Sequence, residues 1–268
     1  MHLSFVDSLR PLLRRTLVLV AHPDDEAAAC GALLQRIDDP IVVFATDGAP
    51  RSDYFWKSYG SREEYARVRK QEAQEALAAI GASHVHCLCE DAPIADQELY
   101  LHLLEAYETL ADLIKTEMPQ AILSHAYEGG HPDHDACSFL ASVARERLGV
   151  SAWEMPLYHR ASGEVQRQSF IDSDRQVVIE LTREELSRKH DMYRAYRSQG
   201  SVLQDFTAPV ERFRPMPNYD FARVPHAGVL NYEAWQWPIK GSDLCRAFAA
   251  FLQGKTESVR EREWGTVA

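Results

Sequence analysis

The chain has 268 residues, 46% of them hydrophobic and 26% charged, enough apolar and mixed sequence to fill a core, which excludes a collagen, a low-complexity tail and a wholly disordered polymer. Its 29 Lys+Arg against 40 Asp+Glu leave a formal net charge of −11, a field that repels phosphate backbones and anionic lipids, so no nucleic-acid partner is expected. After an N-terminal arm, residues 16–21 form a short β-rich apolar run, too short for a signal sequence or a bilayer span, so neither export nor membrane anchoring is expected. Residues 27–36 then favour helix. The alternation repeats: 41–46 reads as a strand, 62–80 as a long amphipathic helix, 85–88 as a strand, 98–117 as a helix, 121–124 as a strand and 135–148 as a helix.

Short buried strands alternating with longer helices imply crossover βαβ units, hence an α/β fold with a Rossmann-like, mainly parallel sheet sandwiched by helices. Past residue 150 the rhythm changes. Segments 165–171 and 176–181, separated by Asp172-Ser173-Asp174-Arg175, predict an antiparallel hairpin. Thr182 followed by Glu184 and Glu185 starts a helix running to about residue 197. Five prolines between 200 and 238, among many aromatics, predict loops without regular structure, and a last helix is expected over 243–252. With no repeat and no clean linker, residues 1–268 read as one domain in which 200–240 caps the pocket. The five cysteines, Cys30, Cys87, Cys89, Cys137 and Cys245, are odd in number and lack CxxC spacing, so all read as free thiols in a reducing cytoplasm.

Chemistry concentrates in two runs, each just past a predicted strand, where open α/β sheets bind their ligands. The first is Ala21-His22-Pro23-Asp24-Asp25-Glu26. Helix capping accounts for one of its carboxylates, but three consecutive acids beside an imidazole call for a cation. The second run, Gly129-Gly130-His131-Pro132-Asp133-His134, adds two more imidazoles. Together they offer the mixed nitrogen and oxygen ligands that a borderline ion such as Zn²⁺ accepts; which three residues would bind is open at this level.

These two motifs resemble the LmbE-like or PIG-L-like family of zinc-dependent N-deacetylases. The likeness continues through Thr46-Asp47-Gly48, the Arg69 and Glu72 pair, Asp91, Lys189 and Tyr196-Arg197-Ser198-Gln199. It implies that His22, Asp25 and His134 hold zinc, or another divalent metal, and that Asp24 is the general base. It further implies that His131 is the electrophile or general acid, oriented by Asp133, and that Arg69 and Asp91 contact substrate, with Asp47 as a further pocket residue. Arg69 is equally readable as an i,i+3 partner of Glu72, and Asp47 as a turn former. Where some family members carry a tyrosine two residues before the second motif's histidine, this chain has Gly129, and the nearest tyrosine is Tyr127. The aromatic loop 48–61 and the aromatics Tyr232, Trp235 and Trp237 are open to two readings, pocket rim or packed loop.

The resulting expectation is a cytoplasmic hydrolase, compatible with a homo-oligomer, that removes acetyl from an N-acetylated sugar or glycoconjugate. Two alternatives are an amidase acting on a larger acyl or thiol conjugate and a non-catalytic carbohydrate-binding module. A nucleotide-dependent oxidoreductase is remote, since acids rather than GxGxxG follow the first strand.

Overall fold

The runs Thr16–Val20, Pro40–Phe44 and Ala121–His125 are buried strands that each open a βα unit, while His84–Cys87 opens another at the partly exposed edge of the sheet. The computed structural model describes residues 9–90, 93–172 and 175–255. In chain order, β1 (Thr16–Val20) leads into α1 (Asp25–Cys30), β2 (Pro40–Phe44) into α2 (Arg62–Ala78), β3 (His84–Cys87) into α3 (Leu103–Glu117), and β4 (Ala121–His125) into α4 (Pro132–Leu148). With β5 (Ser151–Met155) these strands make a parallel sheet in the order β3-β2-β1-β4-β5. The chain winds outward from β1 to β3 and then returns to place β4 on the other side of β1. The carboxyl ends of β1 and β4 therefore flank the topological switch point, where the loops diverge and leave a crevice.

The rest of the chain extends this sheet by two antiparallel strands and adds a separate two-stranded sheet. This part of the chain comprises β6 (Tyr158–His159), β7 (Gln166–Arg167), β8 (Val177–Glu180), α5 (Arg183–Ala195), α6 (Gly200–Leu203), β9 (Val210–Pro215), α7 (Asn231–Ala234) and α8 (Gly241–Leu252). An antiparallel hairpin is present in this half, but it joins β6 to β7. The segment expected to be its second arm, β8, pairs instead with β9, which in turn pairs with β5. Residues 173 and 174 of the expected acidic turn lie outside the described residues. Strand β9 also corrects the expectation of irregular structure from 200 to 238. Its charges hid it: Glu211 and Arg214 are buried by pairing with Lys189 at 2.6 Å and Glu154 at 2.6 Å, so the strand lacks an apolar alternation.

Successive strand side chains point to opposite faces, and two buried clusters result. Leu17, Leu19, Ile41 and Val43 join the residues of α3, α4 and α8, while Val18, Val20, Val42 and Phe44 join those of α1, α2 and α5. Cys87 and Cys89 are disulfide-bonded, with Cα atoms 5.1 Å apart. This corrects the expectation of five free thiols; Cys30, Cys137 and Cys245 are free. Among the described residues, no helix is long and apolar enough to cross a membrane.

Helix α5 begins with a capping box, Thr182 and Glu185 each accepting the other's backbone N–H. Arg36 Nε and Nη2 also donate to Glu185 at 2.6 and 2.8 Å. These bonds, Arg36 first, lower the Glu185 pKa from its ordinary 4.5 to about 2. A carboxylate with a depressed folded-state pKa stabilises the fold above its unfolded value and loses that contribution as pH falls from 4.5 toward 2. Because the pair is partly solvated, the contribution is under about 1 kcal/mol. Arg36→Ala is thus expected to flatten the acid limb of a stability–pH curve in that window and to leave the slope between pH 6 and 8 unchanged, measured by urea unfolding.

Candidate metal centre and active site

The first motif turns sharply out of β1. Asp24 has φ 139° and ψ −26°, a region that strains any residue with a Cβ. Its N–H donates to Glu26 Oε2 at 3.1 Å, and its carbonyl accepts from Ala28 N–H at 3.0 Å. Glu26 is itself buried, accepts from Tyr196 Oη at 2.5 Å, and is pushed by burial up to about 8. This network holds the acidic turn against the sheet.

The second motif is built from its glycines and its helix start. Gly129 has φ +68°, and a Cβ on Gly130 would meet the Tyr158 carbonyl oxygen at 2.0 Å, so both positions require glycine. His131 caps α4: its Nδ1 accepts the Asp133 N–H at 3.1 Å, with Pro132 in the first turn. An accepting Nδ1 leaves Nε2 as the proton-bearing nitrogen, and Nε2 lies 3.3 Å from Asp96 Oδ1.

The two loops meet. His22 Nδ1 lies 3.2 Å from Asp25 Oδ2, and His134 Nε2 lies 3.4 Å from Asp25 Oδ1; the two imidazole centroids are 5.4 Å apart. His125, at the end of β4, stacks on His134 at 4.0 Å and approaches Asp25 Oδ2 to 3.4 Å, while its Nε2 accepts the Ala21 N–H. Donor atoms of His22, His131 and His134, and likewise of Asp25, His125 and His134, lie within 4.8 Å of one another.

The electrostatics suit a cation. Burial opposes a charge on His22, yet Asp96, Asp133 and Asp25 around the ring override it and push its pKa well up. Burial and the neighbouring His125 keep His134 neutral, the form a metal requires. Both nitrogens of the buried His134 ring lack a hydrogen-bond partner, which a purely structural histidine would not sustain. Residues, charges and orphaned donors thus fit a divalent ion at this point.

Asp24 stands beside the cluster with its Oδ1 3.3 Å from Arg69 Nη2. Burial raises its pKa to about 7 even though Arg69 pulls the other way. Arg69 is buried, donates to the Pro23 carbonyl at 2.5 Å, and does not pair with Glu72, which accepts from Ser198 instead. The cluster opens into a cavity of about 120 Å³ whose opposite wall is Leu157, Tyr158, Val202, Leu203 and Phe206.

Other expected residues stand elsewhere. The Asp133 carboxylate accepts the Gln97 and Leu99 N–H groups at 2.6 and 3.0 Å and meets His22 Nε2 at 3.1 Å; its nearest approach to the His131 ring is 3.9 Å. It therefore steadies His22, and His131 faces Asp96. Asp47 accepts from Arg62 at 2.7 Å and the Ala49 N–H at 2.9 Å, a turn lining a different cavity, of about 460 Å³. Asp91 lies outside the described residues. Tyr127 donates to the Arg223 carbonyl within the core and does not line the site cavity. The reading of the motifs missed Asp96, which touches both His22 and His131 at 3.3 Å. Its signal was its position in the loop after β3, another strand end at the same edge.

Comparison with known proteins agrees with the motifs. Residues 17–145 match the family described as PIG-L: GlcNAc-PI de-N-acetylase, so the LmbE-like resemblance is borne out over that segment. A Bacillus cereus protein named "Probable N-acetyl-alpha-D-glucosaminyl L-malate deacetylase 2" is 25% identical over 233 residues, 84% of this chain and 99% of the relative. A Mycobacterium sp. (strain KMS) protein named 1D-myo-inositol 2-acetamido-2-deoxy-alpha-D-glucopyranoside deacetylase is 27% identical over 178 residues, 58% of this chain and 57% of that one. Among solved structures, a deacetylase from the teicoplanin biosynthesis pathway superposes with a TM-score of 0.62 at 20% identity, over 77% of this chain and 99% of that chain. This last likeness bears on the fold alone.

Proposed function

We propose that this chain is a metal-dependent N-deacetylase, a cytoplasmic hydrolase that removes acetyl from an N-acetylated sugar or sugar conjugate. The observation that carries this reading is the buried His134 ring, with neither nitrogen bonded, set against Asp25 and beside His22. The PIG-L match and the named deacetylase relatives support the same chemistry. His22, Asp25 and His134 would hold the ion, zinc being the borderline acid suited to this ligand set. Such an ion supplies Lewis acidity, polarising the acyl oxygen and lowering the pKa of a water toward neutrality.

The chain's own groups do the rest. Asp24 takes the proton of the attacking water at its carboxylate, and Arg69 steadies the anion before that transfer. His131, its Nδ1 tied up by the helix cap, presents Nε2–H to the charge developing on the carbonyl oxygen. The proton held by Asp24 is then given to the leaving nitrogen as the C–N bond breaks, so that a free amine and acetic acid, which ionises to acetate on release, leave and the Asp24 carboxylate is restored. The apolar wall of Leu157, Val202, Leu203 and Phe206, drawn partly from the 200–240 segment, receives the acyl methyl. A cavity of about 120 Å³ favours acetyl over a long acyl chain.

The test combines metal analysis of the purified chain with acetate release from N-acetylglucosamine derivatives. A divalent ion near one equivalent and chelator-sensitive release are expected. His134→Ala should weaken metal affinity by at least about 100-fold and abolish release in parallel. Chelator-resistant turnover rejects the metal role. Stoichiometric metal with no hydrolysis of any N-acyl substrate assigns the chain to the carbohydrate-binding class instead.

A further inference from the structure

The loop between β4 and α4 carries a buried carboxyl that the proposed reaction does not use. Glu128 is 1% exposed, and its Oε1 accepts the N–H groups of Leu157 and Tyr158 at 2.7 and 2.9 Å. Its Oε2 has no hydrogen-bond partner. Burial pushes the carboxyl pKa well up, which favours the neutral acid with Oε1 as a carbonyl-type acceptor. Leu157 and Tyr158 both stand in the wall of the 120 Å³ cavity that faces His22, Asp24 and Asp25. A buried amide left without an acceptor costs more than a made bond returns, so this side chain decides where the backbone of the wall rests.

The main chain of Glu128 is fixed, in turn, to the candidate metal centre. Asp135 follows His134 in the first turn of α4, and its Oδ1 accepts the N–H groups of Glu128 and Gly129 at 3.2 and 2.9 Å. The Tyr158 ring meets the His134 ring edge-on at 5.3 Å, and the Tyr158 carbonyl fills the space beside Gly130 that a Cβ would need. A continuous path of covalent and hydrogen bonds thus runs from His134 through Asp135 and Glu128 to the wall. It fixes one distance, the reach from the metal ligand to Leu157 and Tyr158. In a close-packed interior a wall held in this way does not give, so each added methylene on a bound acyl group is felt.

We propose that Glu128 is a positioning residue that sets acyl-length specificity: by holding the Leu157 and Tyr158 backbone at a fixed reach from His134, it limits the cavity to an acetyl group. The inference rests on the deacetylase reading given above, in which the acyl methyl lies against this wall. Glu128 acts through two amides and does not line the cavity itself. Its replacement therefore changes which acyl group is taken and leaves the reacting groups in place.

The experiment uses the zinc-loaded protein and measures amine release from N-acetyl-, N-propionyl- and N-butyrylglucosamine. The parent should favour acetyl over butyryl in kcat/KM by at least about 100-fold, the scale of two methylenes refused by a closed pocket. Glu128→Gln keeps an acceptor oxygen for both amides and should keep that ratio. Glu128→Leu removes the acceptor and should bring the ratio below about tenfold. Should the leucine variant fail to fold, Glu128→Ala leaves room for water to satisfy the amides and should lower the ratio in the same way. A merely structural loss lowers release from all three substrates alike; an unmoved ratio in a folded variant overturns the role of Glu128 and keeps the hydrolase. Calorimetric binding of acetate, propionate and butyrate to the same proteins reads the wall without turnover. If the parent hydrolyses none of the three amides, the hydrolase reading fails. Length discrimination among the carboxylates that Glu128→Gln keeps and Glu128→Ala loses then still upholds the role of Glu128, and binding indifferent to both substitutions overturns it.

Discussion

Replacing Asp24 by asparagine is expected to lower kcat for acetate release by about 10²–10⁴-fold, the range for losing a positioned general base, with metal content at the unsubstituted level. The backbone of the turn gives the reason for choosing asparagine. Glu26 holds the turn through the Asp24 N–H and Ala28 through its carbonyl, so neither bond depends on the side chain. Asparagine also keeps an oxygen for the Arg69 contact at 3.3 Å while losing the ability to take a proton. Both substitutions remove the negative charge beside Arg69, but alanine would in addition leave the buried guanidinium without an oxygen at that position and confuse catalysis with folding. Single-turnover acetate release and metal analysis on the same sample separate the roles. A variant that keeps its rate, or one that loses the ion, would show that Asp24 is not the base.

The sheet and the convergence of the two motifs were legible because both obey local rules. Apolar runs such as Leu17–Val20 and Ile41–Phe44 fix strands, and His22 and His134 follow strand ends that a doubly wound topology must bring together. What was not legible depended on tertiary partners. β9 reads as a charged, proline-bounded stretch until Lys189 and Glu154 neutralise Glu211 and Arg214. The division of acids between the histidines escaped sequence logic for a related reason. Asp133 is two residues from His131 and was expected to orient it, but the first turn of α4 aims its carboxylate at the Gln97 and Leu99 amides and at His22. That leaves Asp96, from a separate loop, to face His131. The Cys87 and Cys89 pair shows the limit of spacing rules, since one intervening residue sufficed for a bond that CxxC logic did not anticipate.

Lys189→Met is expected to destabilise the fold by about 3–5 kcal/mol, the scale for breaking a buried ion pair from one side. Lys189 and Glu211 are 1% and 2% exposed, and Lys189 Nζ donates to Glu211 Oε1 at 2.6 Å and to the Ala28 carbonyl at 3.0 Å. Without the ammonium, Glu211 keeps only the Ala32 and Leu33 N–H groups, at 2.9 Å each. The double variant Lys189→Met/Glu211→Leu removes both charges and should recover part of the loss. Recovery stays incomplete because the two amides past α1 then lose their acceptor, at about 1–3 kcal/mol each. Urea unfolding of the three proteins measures this directly; a single variant within about 1 kcal/mol of the parent, the scale of an exposed pair, would mean that water reaches Glu211. The same contact couples stability to the site. Lys189 on α5 and Glu211 on β9 clamp the end of α1, the helix whose first residue is Asp25. Loosening that clamp should therefore weaken metal affinity as well as the fold, whereas Arg36→Ala, which breaks only a partly exposed pair with Glu185 at the start of α5, should leave metal affinity intact.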